Sequence, residues 1–212
     1  MVHRWPLVLN AGEIMLRPLR RGDRRAFERL RSDGADWLRP WDATDPDHPG
    51  RLPVFGQVRR VAERTGREGT SLSLGIFEHG TLVGQVSAAP ILYGSQRTAV
   101  LGYWVAQSAA GRGIAPRATA MLCDHLFAEL GIHRVEVLIR PENRSSVRVA
   151  EKLGMHAEGA RRGAVHVNGA WRDHLVFSLL ATDMSTDETG RGVLRRYEDL
   201  LERSVSRDTP VA

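Results

Sequence analysis

Residues 101–154 read LGYWVAQSAAGRGIAPRATAMLCDHLFAELGIHRVEVLIRPENRSSVRVAEKLG, and this stretch decides the fold. An apolar run ends in a loop of small residues that contains Gly111 and Gly113, and apolar residues at helical spacing follow it. A β-branched run over residues 134–140 comes next, and Pro-Glu-Asn opens a second helical pattern. This order predicts a strand, an anion-binding loop at a helix N-terminus, a second strand and a second helix.

The composition bounds the class of protein. The chain has 212 residues, 42% of them hydrophobic, which predicts one domain with a sizeable core. No apolar run approaches the ~20 residues that a membrane span needs, so we expect no membrane segment. Cys123 is the single cysteine, which excludes an internal disulfide and fits a reducing compartment, so we expect a cytoplasmic protein. The net charge of +5 comes almost entirely from arginine, because Lys152 is the one lysine.

Periodicity predicts the elements around this stretch. Alternating patterns and turn pairs predict seven strands, over residues 14–20, 71–78, 81–88, 98–106, 134–140, 155–167 and 171–180. Helical spacing predicts helices over residues 23–32, 52–64, 113–130, 144–153 and, in the polar C-terminal tail, 193–205. The segment between the first two helices is rich in Pro and Asp and carries Trp37 and Trp41, so it predicts a loop. Its tryptophans either form a contact surface or cover the core beneath the loop.

The spacing of the glycines restricts what the loop can bind. The pattern G-x-x-x-x-G-K-[ST] is missing, which excludes a Walker A loop, and Pro116 stands where a dinucleotide fingerprint needs its third glycine. Small residues over 108–115 let the backbone approach a bound group, and free N–H groups at a helix start can hold a diphosphate. Arg112 could add a charge-assisted contact. An ordinary strand-to-helix turn is the alternative that G-x-G alone leaves open.

This stretch resembles the GNAT superfamily of acetyl-CoA-dependent N-acetyltransferases, whose phosphate loop has the form [QR]-x-x-G-x-[GA]. Gly111 and Gly113 match it, whereas Ser108 departs from it. The resemblance implies a single-domain α/β GNAT fold over residues 1–184, with a mixed, mostly antiparallel sheet of six to seven strands flanked by helices and with splayed parallel strands four and five. It implies acetyl-CoA as co-substrate and no metal. The cofactor contacts that it implies are Val105, Ala106, Gly111, Arg112, Gly113, Ile114, Ala115, Asn143 and Ser146.

A second set of motifs is similar to the RimJ/RimL-like ribosomal-protein N-acetyltransferases. The matching residues are Arg134, Asn143, Ser146, Lys152, Leu153, Gly154, Glu158 and Gly159. The early WLRPW and the later Trp171-Arg172-Asp173-His174 resemble the RimJ branch. The resemblance spans residues 14–184, leaves 185–212 as a C-terminal tail, and implies transfer to the N-terminal α-amine, of alanine or serine, on a ribosomal or other protein. Substrate-side candidates are Trp37, Trp41, Asp173 and His174.

Acetyl transfer from a thioester to an amine requires a neutral amine and a stabilised thiolate. An α-amine has a pKa of about 7.7–8.0, so little help is needed to deprotonate it. The resemblance places Ser146 near the CoA sulfur, where it would assist the thiolate during direct transfer in a ternary complex; the alternative is a serine that satisfies the helix start. Some relatives carry a glutamate where Val165 stands, so that role cannot be carried over and the identity of the general base stays open. His166 and His174 are either candidates for that role or structural histidines.

Two other functions remain open from the residues. One is acetylation of a small amine such as an aminoglycoside, a polyamine or an amino-acid analogue, because the phosphate loop would serve either acceptor. The other is a non-catalytic, basic ribosome- or RNA-binding module, which the isoelectric point near 10.2 suggests. No nucleic-acid motif is present and the arginines are spread along the chain, so we predict no direct nucleic-acid contact. We expect a monomer or homodimer.

Overall fold

A computed structural model describes residues 5–48, 54–183 and 192–207, with side chains described up to residue 203. The strands are β1 Leu9–Ala11, β2 Ile14–Arg17, β3 Leu72–Glu78, β4 Thr81–Leu92, β5 Thr98–Val105, β6 Arg134–Ile139, β7 His156–Val167 and β8 Ala170–Leu180. The helices are α1 Arg24–Asp33, α2 Ala35–Leu38, α3 Phe55–Glu68, α4 Ile114–Ala128, α5 Arg144–Lys152 and α6 Gly192–Arg207. None of the helices in these ranges is long and apolar enough to cross a membrane.

The strands form one mixed sheet in the order β1-β2-β3-β4-β5-β6-β8-β7. All neighbours are antiparallel except β5 and β6, which are parallel. The parallel register joins residues 98–101 to residues 134–137 and stops there, although β5 continues to Val105. The last four residues of β5 therefore pair with β4 alone, and the sheet opens between β5 and β6. The expected α/β fold with two splayed parallel strands is confirmed.

The sheet has one strand more than the six to seven that we expected from the sequence. The extra strand, β1, is three residues long and pairs with β2 through a tight turn at Gly12, which has a φ of 54°. Three residues are too few for an alternating pattern to be recognised, because a period of two needs at least four positions to be distinguished from chance. Its position is set by hydrogen bonds to β2, which is why only the folded sheet shows it.

Helix α4 is the centre of the core. Leu122, Cys123 and Leu126 are fully buried, and burial extends around most of the helix. One side of α4 faces the sheet, and another side packs against α6. Burial of the Cys123 thiol raises its pKa, so it stays a protonated packing residue.

Helix α6 lies where the sequence predicts an amphipathic helix, and a buried carboxylate fixes its start. Both oxygens of Asp124 accept hydrogen bonds from the first turn of α6, from Val193 N at 2.8 Å and from Leu194 N at 3.1 Å. An acidic group at a helix N-terminus satisfies free N–H groups and complements the helix dipole. Tyr197 is 1% exposed and belongs to the main core. A boundary at residue 184 stays a prediction, and residues 184–191 lie outside the described ranges.

An ion-pair network ties β6, β7 and β8 together and makes stability depend on acid. Arg134 binds Glu158 through Nη1 at 2.8 Å, and Ser178 Oγ donates to Glu158 at 2.6 Å. These bonds, the arginine's first, lower the pKa of Glu158 to about 2 from 4.5. A depressed carboxylate pKa stabilises the folded state above the unfolded pKa, and that stabilisation is lost as the pH falls from about 4.5 towards 2.

We therefore expect Glu158→Gln to flatten the decline in unfolding free energy between about pH 5 and pH 2. The effect is modest, because the Glu158 side chain is 39% exposed and solvent screens the pair. Urea unfolding at a series of pH values measures it, and Glu129→Gln, which removes an exposed carboxylate at the end of α4, is the control. The same decline in unfolding free energy below pH 5 in wild type and in Glu158→Gln would contradict the prediction.

Candidate active site

The free edge of β5 presents backbone groups to the gap in the sheet. Gly84 and Val105 face each other across β4 and β5, and Ala106 N donates to Val83 O at 2.8 Å. This pattern makes Gly84 and Val105 a non-hydrogen-bonded antiparallel pair, so the N–H and C=O of Val105 point away from β4. They point into the gap beside β6, where an extended, amide-containing chain can pair with them as an added strand does.

One of these groups already has a partner. Trp37 Nε1 donates to Val105 O at 3.2 Å, so the indole of the early loop lies against the splayed edge. A carbonyl oxygen has two lone pairs and can accept a second donor. The contact places Trp37 at the gap. From the sequence alone, this tryptophan could either form a contact surface or cover the core.

The glycine loop has the backbone conformation that anion binding needs. Gly111 and Gly113 have φ values of 76° and 78°, in the left-handed region that residues other than glycine rarely adopt. Gly113 is the N-cap residue of α4, and no side chain caps the helix, so the first N–H groups of a 15-residue helix face the loop. Free amides and the positive end of the helix dipole make this a site for a diphosphate.

The tail helix supports this loop from behind. Tyr197 Oη on α6 donates to Gly113 O at 3.3 Å, and a Cβ at Gly113 would lie 2.8 Å from that hydroxyl oxygen. Nearby, Arg117 in the first turns of α4 pairs with Glu198 at 3.6 Å. The position of α6 therefore bears on the cofactor loop, although the two segments are far apart in sequence.

We expect Tyr197→Phe to weaken CoA binding by about two- to tenfold, because a hydrogen bond to the Gly113 carbonyl contributes about 0.5–1.5 kcal/mol. Isothermal titration calorimetry with CoA measures the change. Tyr93→Phe is the matched control, since Tyr93 Oη also donates to a glycine carbonyl, that of Gly69 at 3.0 Å, but lines neither cavity described below. Equal affinities in Tyr197→Phe and wild type would show that α6 does not hold the loop.

A cavity of about 290 Å³ follows the glycine loop and the free edge of β5. It is lined by seven of the nine residues expected to contact the cofactor, namely Val105, Gly111, Gly113, Ile114, Ala115, Asn143 and Ser146. Ala106 and Arg112 do not line it. Ala106 is 7% exposed, and Arg112 Nη2 pairs with Glu78 at 2.7 Å.

Two basic residues at the cavity were not among the sequence candidates for cofactor binding. Arg148 and Lys152 lie one turn apart on α5 and both line the cavity. Residues four apart on a helix share a face, so the positive charges project together. The i, i+4 spacing was visible in the sequence, but a basic face on a surface helix is common. Only the packing of α5 beside the loop shows that these two charges line the cavity.

The start of α5 sets the position of Ser146. Asn143 is the N-cap: its Oδ1 accepts hydrogen bonds from Ser146 N at 3.1 Å and from Ser145 Oγ at 2.8 Å. Tyr103 Oη donates to Ser146 O at 3.2 Å from β5. Ser146 Oγ takes no part in that cap; it lies beside the Tyr103 hydroxyl, and a hydrogen bond between the two side chains acts against burial to lower the pKa of Tyr103. The cap comes from Asn143, so the serine hydroxyl stays available to a ligand.

Tyr103 is a further residue that the sequence did not single out. Burial raises its pKa, so its hydroxyl remains protonated and acts as a donor. It lines the cofactor cavity. Because it lies in an apolar strand, the sequence alone predicts an ordinary core residue at this position.

A second cavity, of about 160 Å³, adjoins the first. The two share Trp41, Tyr103, Asn143 and Ser146, so Ser146 lies where they meet. The second cavity is completed by the splayed ends of β5 and β6, by Arg140 and by His174. Among the described residues that line the two cavities there is no aspartate or glutamate.

The tryptophan segment, residues 35–48, forms one wall of both cavities and is clamped in place. Trp37 lines the first cavity and Trp41 lines both, with the Arg140 guanidinium 5.5 Å from the centre of the Trp41 ring. Four contacts tie the segment to its surroundings: Asp42 with Arg31, Pro40 O with Arg140 Nη1, Arg39 O with Asn168 Nδ2, and Thr44 N with His166 O. Three of them come from the end of β6 or from the β7–β8 hairpin.

The two candidates on β8 point in different directions, as neighbouring residues of a strand do. Asp173 is exposed, and its Oδ1 accepts a hydrogen bond from Gly163 N at 2.8 Å; it lines neither cavity. His174 is 5% exposed and lines the second cavity. His166 lines neither, and its Nδ1 lies 2.8 Å from Thr44 Oγ1. Within the described residues, no group of three His, Cys, Asp or Glu side chains could hold a metal ion.

Comparison with known proteins gives a consistent picture. A family model described as "Acetyltransferase (GNAT) domain" matches residues 13–156. The probable N-acetyltransferase YjcK of Bacillus subtilis (strain 168) is 34% identical over 180 residues, which cover 83% of this chain and 98% of that protein. The ribosomal protein uS5-alanine N-acetyltransferase of Escherichia coli (strain K12) is 24% identical over 155 residues, covering 72% of this chain and 79% of the other.

A solved structure described as Mycobacterium smegmatis RimJ in complex with CoA-disulfide superposes with a TM-score of 0.84 and is 31% identical in sequence. The match covers 92% of this chain and 95% of that one, so it extends well beyond the residues of the family model.

Proposed function

Because the chain belongs to the GNAT acetyltransferase family and is an acetyl-CoA-dependent N-acetyltransferase, we propose that its acceptor is the N-terminal α-amine of a protein, alanine or serine on a ribosomal protein. The observation that carries this proposal is the second cavity, which meets the cofactor cavity at Ser146 and has aromatic and basic walls without a carboxylate. Relatives named as ribosomal-protein acetyltransferases support the same acceptor class. Such an acceptor places the enzyme in the cytoplasm.

The proposed cofactor position follows from the backbone. The diphosphate lies on the amides around Gly111 and Gly113, with Arg148 and Lys152 supplying positive charge, as anion sites at helix starts do. The pantetheine arm runs along the edge of β5 and pairs with Val105. Ala106 contributes no N–H to this arm, because Val83 O accepts it. Arg112 takes part only if it leaves Glu78.

The proposed reaction is direct transfer in a ternary complex. The cofactor in the first cavity and the acceptor in the second meet beside Ser146, and holding both partners in contact supplies much of the rate acceleration. The neutral amine attacks the thioester carbonyl, the C–N bond forms, and the C–S bond breaks. Ser146 Oγ donates a hydrogen bond to the developing thiolate.

The charge of the second cavity favours an α-amine over a polyamine. A polyamine carries two or more ammonium groups and is recognised by carboxylates, whereas this cavity has Arg140 and, among its described lining residues, no carboxylate. A peptide N-terminus brings one titratable amine and neighbouring carbonyl oxygens, which accept hydrogen bonds from donors such as Asn143. The aromatic wall formed by Trp41 suits the backbone of the first residues.

An acceptor screen with the purified full chain tests this proposal. Peptides beginning with Ala or Ser are compared with the same peptides blocked at the α-amine but carrying a lysine, and with spermidine and an aminoglycoside, using release of free CoA as the signal. We expect turnover of the free α-amines and none of the blocked peptides. Turnover restricted to the small amines would reject the protein acceptor and support the small-amine alternative.

A further inference from the structure

His174 combines burial, a defined tautomer and access to the acceptor cavity. It lies on β8, whose alternation turns it inward while Asp173 faces solvent, and it is 5% exposed. Its ring lines the 160 Å³ cavity together with Ser146. Nδ1 lies 3.0 Å from Arg172 O, and a carbonyl oxygen only accepts, so Nδ1 carries the hydrogen. In the neutral imidazole, Nε2 therefore has the free lone pair.

The groups around His174 leave that lone pair unused. Charged and titratable neighbours face it from three strands: Tyr103 from β5, Arg140 just after β6, and Arg161, its cross-strand partner on β7. Arg161 Nη2 is held by Glu136 at 3.0 Å. Within the described part of the chain, Nε2 of His174 has no hydrogen-bond partner. It is therefore the available proton acceptor among the lining side chains of this cavity.

The other candidates are placed elsewhere. His166 is held by Thr44 and lines neither cavity. Asp173 is exposed and bonded to Gly163. Glu142 pairs with Arg140 and is 63% exposed. Val165, where the resemblance leads one to expect a glutamate, cannot take a proton.

We propose that His174 is the proton acceptor of the transfer, an inference that rests on the proposed acceptor. Nε2 takes one proton from the bound ammonium and holds it while the neutral amine reacts, and it releases that proton to solvent after the products have formed. The nitrogen attacks the thioester carbonyl, the C–N bond forms, and the C–S bond breaks to release the thiolate. The second nitrogen-bound proton reaches the sulfur through Ser146 Oγ, which gives its proton to sulfur and receives the one from nitrogen. The products are the amide and CoA thiol, and one proton enters solvent.

The role has a kinetic signature that a structural histidine lacks. With Nε2 present, the enzyme uses the ammonium form of the acceptor as well as the amine. Without it, only acceptor that arrives already neutral reacts, and at pH 7 that is about one-tenth to one-sixth of an α-amine with a pKa of 7.7–8.0. At pH 9 nearly all of the acceptor is neutral, and the difference disappears.

The test is kcat/KM for an Ala-initiated peptide from pH 6.5 to 9 in wild type and in His174→Asn, whose amide can still donate to Arg172 O. We expect a loss of about six- to tenfold at pH 7 that shrinks to less than about twofold at pH 9. His166→Asn, from the same hairpin, is the control and changes kcat/KM by a factor that does not vary with pH.

Two results overturn the assignment. The first is a His174→Asn variant whose loss is the same at every pH, which would indicate a structural role. The second needs no variant: a wild-type profile that falls tenfold per pH unit below the pKa of the acceptor shows that no group relays its proton. If no peptide is acetylated, the proposed acceptor fails rather than this inference, and the same comparison is made with the accepted amine, whose own pKa sets the expected loss.

Discussion

Replacing Ser146 with alanine is expected to lower kcat by about ten- to a hundredfold, while the Kd for CoA changes by less than about twofold. The hydroxyl lies where the two cavities meet and is not needed to cap α5, so it is available to the leaving sulfur. A thiol of pKa near 8.5 is a moderately good leaving group, so the loss is smaller than for an alkoxide. Asn143 caps α5, and Ser146→Ala leaves that cap intact.

Steady-state kinetics with saturating peptide and calorimetry with CoA separate the two effects. Ser32→Ala, an exposed serine on α1, controls for loss of a helical hydroxyl. Wild-type turnover in Ser146→Ala would remove the serine from the mechanism. A weakened CoA affinity with unchanged kcat would instead assign it to binding alone.

Replacing Gly84 with alanine is expected to destabilise the protein by about 3 kcal/mol and to weaken CoA binding by more than about tenfold. A Cβ at Gly84 would overlap Trp104 O and lie 3.0 Å from the Cα of Val105. Both are backbone atoms, so no side chain can rotate away, and β5 must shift at the residues that face the gap. The change therefore reaches the cofactor edge as well as the fold.

Thermal unfolding and calorimetry with CoA measure the two consequences, and for a chain of this size the melting temperature falls by about 6–12 °C. The control is Gly22→Ala, because a Cβ at Gly22 meets no atom within 4 Å. An unchanged melting temperature in Gly84→Ala would mean that β4 and β5 separate freely. Reduced stability with unchanged CoA affinity would mean that the pairing edge does not hold the cofactor.

The βαβα unit was readable from the sequence because its signals are local. Gly111 and Gly113 are two residues apart and adopt the left-handed conformation that only glycine adopts readily. Asn143 precedes Ser146 by three residues, which is the spacing of an N-cap and the amide that it accepts from. Such features depend on bonds within one turn of the chain, so they can be recognised in the sequence alone. Accordingly, seven of the nine expected cofactor residues line one cavity.

The ion-pair partner of Arg112 could not be predicted from the neighbouring sequence. A basic residue between two loop glycines suggests an anion contact, but the folded chain brings Glu78 to it from β3, 34 residues away. The partner of an exposed side chain is chosen by whichever charge the sheet places nearby, and neither the spacing nor the type of Arg112 contains that information.

The acceptor side could not be built from the sequence for the same reason. Trp41, Arg140 and His174 are separated by more than thirty residues from one another, and they meet because β6 lies between β5 and β8. Strand alternation decides that His174 faces inward and Asp173 outward, and one step of register would exchange them. The sequence named both without ranking them.

The sequence by itself determined the family, the cofactor and the reaction type, because the motifs that bind and transfer an acetyl group lie within about fifty residues and act through local backbone geometry. The tertiary structure decided which side chains surround the acceptor, that α6 supports Gly113, and that Val105 presents its backbone to the gap. These depend on strand order, register and helix packing, which are set by burial over the whole chain. Residues 101–154 hold the cofactor machinery, and the rest of the fold supplies what selects the amine.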